Sequence, residues 1–449
     1  MTTFFIKNFG CRATQADASA IRHGLQSRGY CTAESDAAAD IVVLNTCTVT
    51  AAADAEARES IRRIHRQNPA ACIVATGCYA QRAPEELAAL PGVSWVVGNS
   101  YQHVISGLAD GPANFVPLSA VAGGVLSSSR ILREEMAAHP APIVPQHHFA
   151  DVLADDLVDV RTRPTLKIQD GCNHRCAYCV IPLVRGRSRS LEPASVLDEI
   201  RRLVQTGAQE IVLSGIDLGS YGRDLTPRIS LHALVCKIID ETKLASLRLS
   251  SIEPIDITQD FVELIASEPR IAPHFHLPLQ SGSDRILRAM HRWYRAAHYA
   301  RRVEVIRETL PHAAIGADVI VGFPGETEDD HVATMNFISE LPLSYLHVFS
   351  FSPRPGTEAA NLPHALREDI IHDRARQLRA LAERKSREFR VSQQGRKTRV
   401  LTLDRQGKGW TGALTGNYLN VRVAGSWPRN HWLEVKIPAD ATSLAAVAS

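Results

Sequence analysis

The chain has 449 residues, of which 45% are hydrophobic and 22% are charged, and its formal net charge is +2. At roughly 100–200 residues per domain, this length predicts several domains with cores of their own. The composition excludes an intrinsically disordered chain, and the near-neutral charge means that any nucleic-acid surface is local. The longest apolar runs, for example Ile41–Leu44, are too short for a membrane helix, and the N-terminus lacks the pattern of a signal peptide. These features predict a cytoplasmic protein that contacts no membrane.

Residues 1–110 are predicted to form an α/β domain, because short apolar strands alternate with helical segments. The predicted strands are Thr3–Phe9, Asp40–Thr46, Ala71–Gly77 and Ser94–Gly98. This alternation predicts a parallel sheet in a three-layer arrangement, with helices on both faces. Residues 111–164 are rich in Ala, Pro, Gly and Ser and are predicted to be a linker.

Residues 165–385 repeat the alternation, which predicts a partial, TIM-like (β/α)6 barrel. Its predicted strands are Thr165–Gln169, Glu210–Ser214, Ser246–Ser251, His274–Leu277, Ile315–Val321 and Ser344–Ser350. Residues 386–438 follow a long charged helix and contain short strands separated by the turns GKG and TGN, which predicts a small all-β barrel. Residues 439–449 are predicted to be a disordered tail.

Three of the nine cysteines lie on one short loop, where Cys172, Cys176 and Cys179 have the spacing C-x3-C-x2-C directly after a predicted strand. An odd number of cysteines in a large chain without an export signal favours metal ligands over disulfides. Three thiolates on one loop suit three irons of a cubane Fe–S cluster and leave the fourth iron open to another ligand. The alternatives are a zinc loop, which usually has four ligands, and a chance cluster.

Three more cysteines each follow a predicted strand of the N-terminal domain, namely Cys11, Cys47 and Cys78. The carboxyl ends of parallel strands share one edge of a sheet, so we expect these thiols to lie close together and to hold a second cluster with an open iron. The alternative is three small buried residues. The remaining cysteines, Cys31, Cys72 and Cys236, are interpreted as structural.

The sequence motifs resemble those of the methylthiotransferases, a family of radical S-adenosylmethionine enzymes. The motifs are NTCTVT, TGCYAQ, KIQDGCNHRCAYCVIPLVRGRSRS, HFHLPLQSGSDRIL, ADVIVGFPGETEDD and FSFSPRPGTEAA. The last module resembles the TRAM domain, an RNA-binding barrel. The resemblance covers nearly the whole chain and implies an enzyme that inserts sulfur into an unactivated C–H bond and adds a methyl group.

The resemblance implies two [4Fe–4S] clusters and S-adenosylmethionine as cofactors. The cluster at Cys172 would make a 5′-deoxyadenosyl radical, and the cluster at Cys11 would hold or deliver sulfur. Tyr178 would pack near the adenine of S-adenosylmethionine. By their position after barrel strands, Gly215, Ser251 and Glu253 are further candidates for contacts with S-adenosylmethionine. Gln280 and Gly322 resemble positions near the ligand, and no catalytic residue beyond the cluster-bound groups is assigned.

The runs RLSSIEP and HVFSFSP are similar to the subgroup that acts on N6-threonylcarbamoyladenosine at tRNA position 37, forming its 2-methylthio derivative. Two alternatives within the family are isopentenyladenosine tRNA and a ribosomal protein side chain. A different class would be a non-catalytic Fe–S electron carrier or an RNA-binding adaptor, but a carrier needs no barrel and no open iron. The expected partners are the tRNA anticodon loop, an electron donor such as flavodoxin or ferredoxin, and an unknown sulfur donor.

Residues 374–399 contain ten basic and two acidic side chains, a net charge of +8 (10 − 2). A basic segment leading into a small β-barrel is typical of RNA-binding proteins, although a solvated helix face has the same composition. The predicted phosphate contacts are Arg387, Arg390, Arg396 and Lys397. Additional candidates for phosphate contacts are Arg185, Arg187 and Arg189, and Tyr418 or Trp410 would either stack on a base or fill the barrel core.

Overall fold

A computed structural model describes residues 1–108, 130–132, 162–440 and 443–447 of the chain. The chain divides into two compact units. The first consists of Met1–Leu153, Lys167–Leu191 and Ser352–Ala360. The second consists of Ala154–Leu166, Glu192–Phe351 and Asn361–Ser449.

The first unit contains a six-stranded sheet in the order β2-β1-β3-β4-β5-β6, in which every neighbouring pair is parallel. Its strands are β1 (Thr3–Asn8), β2 (Cys31–Thr32), β3 (Ile41–Thr46), β4 (Cys72–Gly77), β5 (Val93–Val97) and β6 (Arg130–Leu132). Its helices are α1 (Arg12–Gln26), α2 (Ala51–Gln67), α3 (Cys78–Arg82), α4 (Pro84–Ala88) and α5 (Ile105–Leu108). Strand β3 is buried along its whole length, and separate apolar cores lie on the two faces of the sheet, which confirms the three-layer prediction.

Strand β6 lies within the segment predicted to be a linker. Residues 130–132 pair in parallel with β5 and extend the sheet by one strand. The linker prediction is therefore wrong for these residues, because three residues are too few to show a strand pattern. The rest of 111–161 lies outside the described residues.

The second unit contains the predicted barrel strands as two three-stranded sheets, in the orders β11-β10-β7 and β12-β13-β14. The strands are β7 (Thr165–Lys167), β10 (Glu210–Ser214), β11 (Ser246–Leu249), β12 (His274–His276), β13 (Ala314–Val321) and β14 (Tyr345–Ser350). Isolated parallel bridges, one of which pairs Ser251 with His276, join the two sheets and continue the barrel. The predicted first strand is interrupted after Lys167, and Gln169–Asp170 (β8) pairs instead with Arg189–Ser190 (β9) in the first unit.

Helix α6 (Ile181–Arg185) lies in the first unit. The helices of the second unit follow its barrel strands; they are α7 (Pro193–Gln205), α8 (Leu231–Glu241), α9 (Gln259–Ser267), α10 (Asp284–Ala289), α11 (Ala296–Thr309), α12 (Glu328–Glu340) and α13 (Glu368–Gln393). Hydroxyl side chains cap several of them: Thr258 accepts a hydrogen bond from Phe261 N at the start of α9, and Thr327 does the same for Asp330 N at the start of α12. Among the described residues, no helix combines the length and the apolar character needed to cross a membrane.

The C-terminal strands form one five-stranded sheet in the order β18-β15-β16-β17-β19. They are β15 (Lys397–Gly407), β16 (Trp410–Thr415), β17 (Asn420–Ala424), β18 (Trp432–Lys436) and β19 (Leu444–Ala445). Strand β19 pairs in parallel with β17, and Val447 bridges to Val435 at the opposite edge, so the sheet curls back on itself. The prediction of a disordered tail is wrong for these residues, because their pairing partners are distant in sequence.

The turn between β16 and β17 packs against the N-terminal ends of the barrel strands. Arg248, fully buried in β11, forms a two-point ion pair with Glu210 of β10, with its Nε 2.8 Å from Oε1 and its Nη2 3.1 Å from Oε2. Its guanidinium also donates to the carbonyl oxygens of Thr415 (3.2 Å) and Gly416 (2.9 Å). The ring of Tyr418 stacks on His274 with a centroid separation of 4.4 Å. The C-terminal sheet is thus the floor of the barrel.

Candidate functional site

The three strand-end cysteines of the first unit lie at the same edge of its sheet. Cys11 precedes the first residue of α1, Cys47 directly follows β3, and Cys78 is the first residue of α3. Cys11 is exposed, whereas Cys47 and Cys78 are buried. The three sulfurs are close enough to influence one another's ionisation, which agrees with the predicted juxtaposition.

Two glycines make room for this arrangement. Gly10 has a φ of +96°, and a Cβ there would lie 2.8 Å from the Cys47 sulfur. Gly77 has a φ of +95°, and a Cβ there would lie 2.3 Å from the Thr46 carbonyl oxygen. A side chain at either position would therefore collide with the backbone or with the thiol itself.

Replacing Gly77 with alanine is expected to reduce the iron bound at this edge and to destabilise the first unit. The new Cβ meets rigid backbone of β3 in a conformation that L residues rarely adopt. Gly29→Ala is the matched control, because Gly29 also has a positive φ (+82°) but nothing within 4 Å of the added carbon. Iron content after reconstitution and the urea midpoint would be measured for both variants. Equal losses in the two would show that φ strain, and not the collision, is responsible.

Burial favours the protonated form of the two buried thiols at this edge, those of Cys47 and Cys78. Burial, reinforced by the neighbouring Cys78, raises the pKa of Cys47 to about 12, and burial also raises the pKa of Cys78. A buried thiolate needs a compensating positive charge, and iron supplies it when it replaces the proton. The donor set therefore fits an iron–sulfur cluster held by three cysteines.

The second trio lies on a loop that the backbone closes tightly. The Cys172 N–H donates to the Gly186 carbonyl oxygen (3.0 Å), and the Cys179 N–H donates to the carbonyl oxygen of Cys176 (3.0 Å). Gly171 has a φ of +72°, and a Cβ there would lie 2.1 Å from the Arg187 carbonyl oxygen. All three cysteines are half-buried thiols, so the loop also fits a cluster that keeps one iron accessible.

The residues predicted to contact S-adenosylmethionine belong to both units. Tyr178 is half-buried on the cysteine loop of the first unit, and half-buried Gly215 directly follows β10 in the second. The Ser251 hydroxyl lies 2.7 Å from Nδ1 of His276. The Glu253 carboxylate forms an ion pair with Arg292, whose side chain is 3% exposed. The roles of these residues in binding the cofactor stay predictions.

Gln280 and Gly322 are backbone positions of unusual conformation. Gln280 has a φ of +68°, and its N–H donates to the Asp318 carbonyl oxygen at 2.7 Å. Gly322 has a φ of +81°, and its N–H donates to the Glu326 carboxylate at 2.9 Å. A Cβ at Gly322 would lie 2.6 Å from Ile371, so packing against α13 already requires this glycine.

The sequence interpretation missed a polar cluster on the inner face of the barrel. Oδ1 of Asp318 lies 3.2 Å from Nε2 of His276 and 3.0 Å from Nδ1 of His347. The two histidines hold the pKa of the Asp318 carboxyl below its usual range against the opposing effect of burial. The side chain of His347 is 54% exposed, and the neighbouring Phe349 is also exposed. The available signal was polar or aromatic residues at alternate positions of β12 and β14, but the register between strands is not visible in sequence.

The basic segment divides into structural and exposed side chains. Arg374 is buried and paired with Glu326 (2.8 Å), and buried Lys385 donates to the carbonyl oxygen of Leu341 (2.8 Å). Of the four predicted phosphate contacts, Arg387 and Lys397 are exposed. The other two are half-buried and bonded within the protein: Arg390 donates to the Asn420 carbonyl oxygen at 2.6 Å, and Arg396 donates to the side chain of Gln393.

One further RNA-contact expectation is wrong, because Arg185 is fully buried in the first unit and is not a surface cation. Tyr418 packs against His274, as described above, which favours the alternative of a packing role over that of base stacking. Trp410 is half-buried with Arg422 over its ring at 4.8 Å, and Arg399 similarly covers Trp432 at 4.6 Å.

Two family models match parts of this chain. Residues 3–98 match a family described as "Uncharacterized protein family UPF0004", and residues 166–338 match the radical SAM superfamily. Among solved structures, the fold resembles the radical S-adenosylmethionine methyltransferase TsrM from Kitasatospora setae, whose structure contains cobalamin and a [4Fe–4S] cluster. The TM-score is 0.55 at 17% sequence identity, and the match covers 80% of this chain and 77% of that one.

Curated relatives match over almost the whole length. The chain is 36% identical to the threonylcarbamoyladenosine tRNA methylthiotransferase MtaB of Aquifex aeolicus, covering 93% of this chain and 96% of the relative. It is 37% identical to the protein of that name from Bacillus subtilis, with coverages of 87% and 82%. It is also 34% identical to a tRNA-2-methylthio-N(6)-dimethylallyladenosine synthase of Thermobifida fusca, with coverages of 90% and 78%. With these relatives and a radical SAM domain, the chain belongs to the methylthiotransferase family of radical S-adenosylmethionine enzymes and uses two [4Fe–4S] clusters and S-adenosylmethionine as cofactors.

Proposed function

We propose that this enzyme inserts sulfur and a methyl group at C2 of N6-threonylcarbamoyladenosine at tRNA position 37. The observation that carries the proposal is the presence, in one compact unit, of two separate three-cysteine sites that each fit a cluster with an open iron. When bound, the clusters and S-adenosylmethionine supply a carbon radical, sulfur and a methyl group. The names of several relatives specify threonylcarbamoyladenosine tRNA, whereas the names of others specify 2-methylthio-N(6)-dimethylallyladenosine.

Each cysteine set has its own role in the proposal. Cys172, Cys176 and Cys179 would hold the cluster at which S-adenosylmethionine binds, and Tyr178 would support its adenine. Cys11, Cys47 and Cys78 would hold the cluster that supplies sulfur. An electron donor such as flavodoxin or ferredoxin supplies electrons in the cytoplasm. Mass spectrometry of tRNA nucleosides from a deletion strain, with and without the gene restored, tests the function directly. Persistence of the 2-methylthio nucleoside in the deletion strain would contradict it.

The inner face of the barrel supports the threonylcarbamoyl substrate over the dimethylallyl one. A threonylcarbamoyl group carries amide, hydroxyl and carboxylate functions, whereas a dimethylallyl group is a hydrocarbon. His347 is half-exposed and held by Asp318, so a ring nitrogen remains for a hydrogen bond to a polar substituent. An apolar substituent there would leave this polar pair desolvated without a partner.

His347→Phe is expected to lower kcat/KM for threonylcarbamoyladenosine tRNA about 10- to 100-fold, the loss of one hydrogen bond to a charged or polar group. Cluster content and reductive cleavage of S-adenosylmethionine should be unchanged, because the substitution touches neither cysteine set. His372→Phe on the exposed side of α13 is the control. If His347→Phe kept full activity on the threonylcarbamoyl substrate, the barrel would no longer support this substrate over the dimethylallyl one. The proposal of thiomethylation itself would not be affected.

The exposed part of the basic segment is proposed to bind tRNA phosphates. Replacing Arg387 and Lys397 with glutamine should weaken tRNA binding and reduce the salt slope of log K by roughly 0.7–0.9 for each lost phosphate contact. Arg376→Gln, an exposed arginine paired with Asp373 in the first half of α13, is the control for general charge. A double variant with an unchanged slope would exclude these side chains from the RNA surface.

A further inference from the structure

Arg185 is a fully buried arginine for which the proposed chemistry has no role so far. It ends α6, shortly after the Cys172 loop, and its side chain is 1% exposed. Burying a guanidinium costs free energy unless anions surround it. The partners of Arg185 therefore show which negative charges its positive charge compensates.

The side chain of Arg185 is paired with two carboxylates. Each carboxylate belongs to a segment that carries a cysteine of a different site. Nη1 lies 3.1 and 3.2 Å from the two carboxylate oxygens of Asp170, and Nη2 lies 2.8 Å from Oδ2 of Asp17. Asp170 precedes the Cys172 loop and accepts a hydrogen bond from the Gly171 N–H at 2.8 Å. Asp17 lies on α1, the helix that starts directly after Cys11.

The charges of this buried network do not cancel among themselves. Asp170 is also within 2.9 Å of Lys167 and 3.3 Å of Arg189, and Lys167 contacts Asp17 as well. Three cations and two carboxylates leave an excess of +1 (3 − 2) in these described side chains. A buried positive excess requires a further anion nearby.

Cys78 lies next to the helix that Arg185 ends, and it packs in one buried cluster with Val180 and Val184. As a cluster ligand, Cys78 would supply the further anion. The positive charge of Arg185 acts on Cys78 and also on Cys47 and Cys11. Asn99 of the same unit donates to the Val184 carbonyl oxygen at 2.7 Å and lies 3.9 Å from the Cys78 sulfur, which fixes α6 next to this cysteine.

We propose that Arg185 is a positioning residue that serves as the buried counterion of the cluster held by Cys11, Cys47 and Cys78, and ties that cluster to the Cys172 loop through Asp170. The inference rests on the ligand assignment made under the proposed function. A cubane held by three thiolates is net negative, and its one-electron reduction adds a further negative charge. A fixed cation close to the ligand set therefore favours the reduced state and raises the reduction potential.

The test uses the full chain with Cys172, Cys176 and Cys179 all replaced by alanine, so that one cluster remains to be observed. In this parent, Arg185→Gln should move the midpoint potential in the negative direction in a redox titration followed by electron paramagnetic resonance. Arg185→Lys keeps the charge and should stay closer to the parent. Arg189→Gln removes the same charge from the same network at a 19% exposed side chain and should shift the potential less.

The outcomes separate the two proposals. A parent that binds no iron would count against the cysteine assignment and not against Arg185. With iron retained, an Arg185→Gln potential equal to that of the parent, or a shift no larger than that of Arg189→Gln, would overturn the counterion role. If the Arg185→Gln variant loses its iron, the Arg185→Lys variant provides the test. An iron content and a midpoint potential near those of the parent would support the counterion role of the charge. Loss of iron in Arg185→Lys as well would overturn that role.

Discussion

Replacing Cys11, Cys47 and Cys78 together with alanine is expected to abolish thiomethylation while reductive cleavage of S-adenosylmethionine continues. The edge of the N-terminal sheet would lose its cluster, whereas the closed Cys172 loop keeps its own hydrogen bonds. The iron content should fall to about half, since each trio can hold a four-iron cubane. The measurements are iron per chain, 5′-deoxyadenosine formed with a strong reductant, and 2-methylthio nucleoside in tRNA.

The reciprocal variant, in which Cys172, Cys176 and Cys179 become alanine, should lose both cleavage and product while keeping about half of the iron. The chain offers a matched control with the same number of thiols removed, in which Cys31, Cys72 and Cys236 are replaced. These three cysteines belong to an edge strand, a central strand and an outer helix, so their loss should change neither iron content nor activity. Product formation by the first variant would exclude the sheet-edge cysteines from sulfur transfer.

Arg248→Ala is expected to lower the unfolding free energy of the second unit by about 3–5 kcal/mol, the usual cost of leaving one member of a buried ion pair without its partner. Glu210 would stay buried with Arg163 at 3.3 Å as its remaining cation, and the Thr415 and Gly416 carbonyl oxygens would lose their donor. Tryptophan fluorescence is a suitable probe, because Trp293, Trp410, Trp427 and Trp432 all lie in the second unit. Arg201→Ala, which removes an exposed ion pair with Glu241, should cost about 1 kcal/mol or less.

The ion pair also gives the second unit a defined response to acid. Burial alone would raise the pKa of Glu210, but Arg248 and Arg163 together outweigh it and hold that pKa below the usual value. The pair therefore contributes stability above the normal glutamate pKa, and this contribution is lost as the pH falls toward the lowered value. In Arg248→Ala only Arg163 still opposes burial, so the pKa should be lowered less and less stability should be lost in this acidic range. Parallel acid profiles for the two proteins would contradict the assignment.

The succession of strands and helices along the chain and the strand-end positions of the cysteines could be predicted because they follow from local pattern and parallel topology. Cys11, Cys47 and Cys78 are far apart in sequence, yet each follows a strand, and that alone places them at one edge. Short strands such as β2, β6 and β19 were missed, since two or three residues give no periodicity. Their existence depends on partners supplied by the rest of the sheet.

Interactions between side chains distant in sequence could not be predicted. Arg185 looked like one of several arginines after the cysteine loop, and nothing local shows that Asp17, 168 residues earlier, neutralises it. The contact of His347 with Asp318 likewise depends on strand register and on which face of β14 is turned inward. Both sites are made of polar groups whose burial is decided by tertiary packing.

The return of Ser352–Ala360 to the first unit has a consequence for the order of folding during synthesis. Asp54 is buried in α2, and Arg354, 300 residues later, donates to its carboxylate at 2.7 Å, while Ser352 accepts from the Ala51 N–H at 3.0 Å. At about 5–20 residues per second, the ribosome needs roughly 15–60 s to make that intervening chain. Asp54 forms ion pairs with both Arg82 and Arg354. Until most of the polypeptide has emerged, only Arg82 is available to the nascent N-terminal sheet. The first unit can therefore be completed only late in translation or after release.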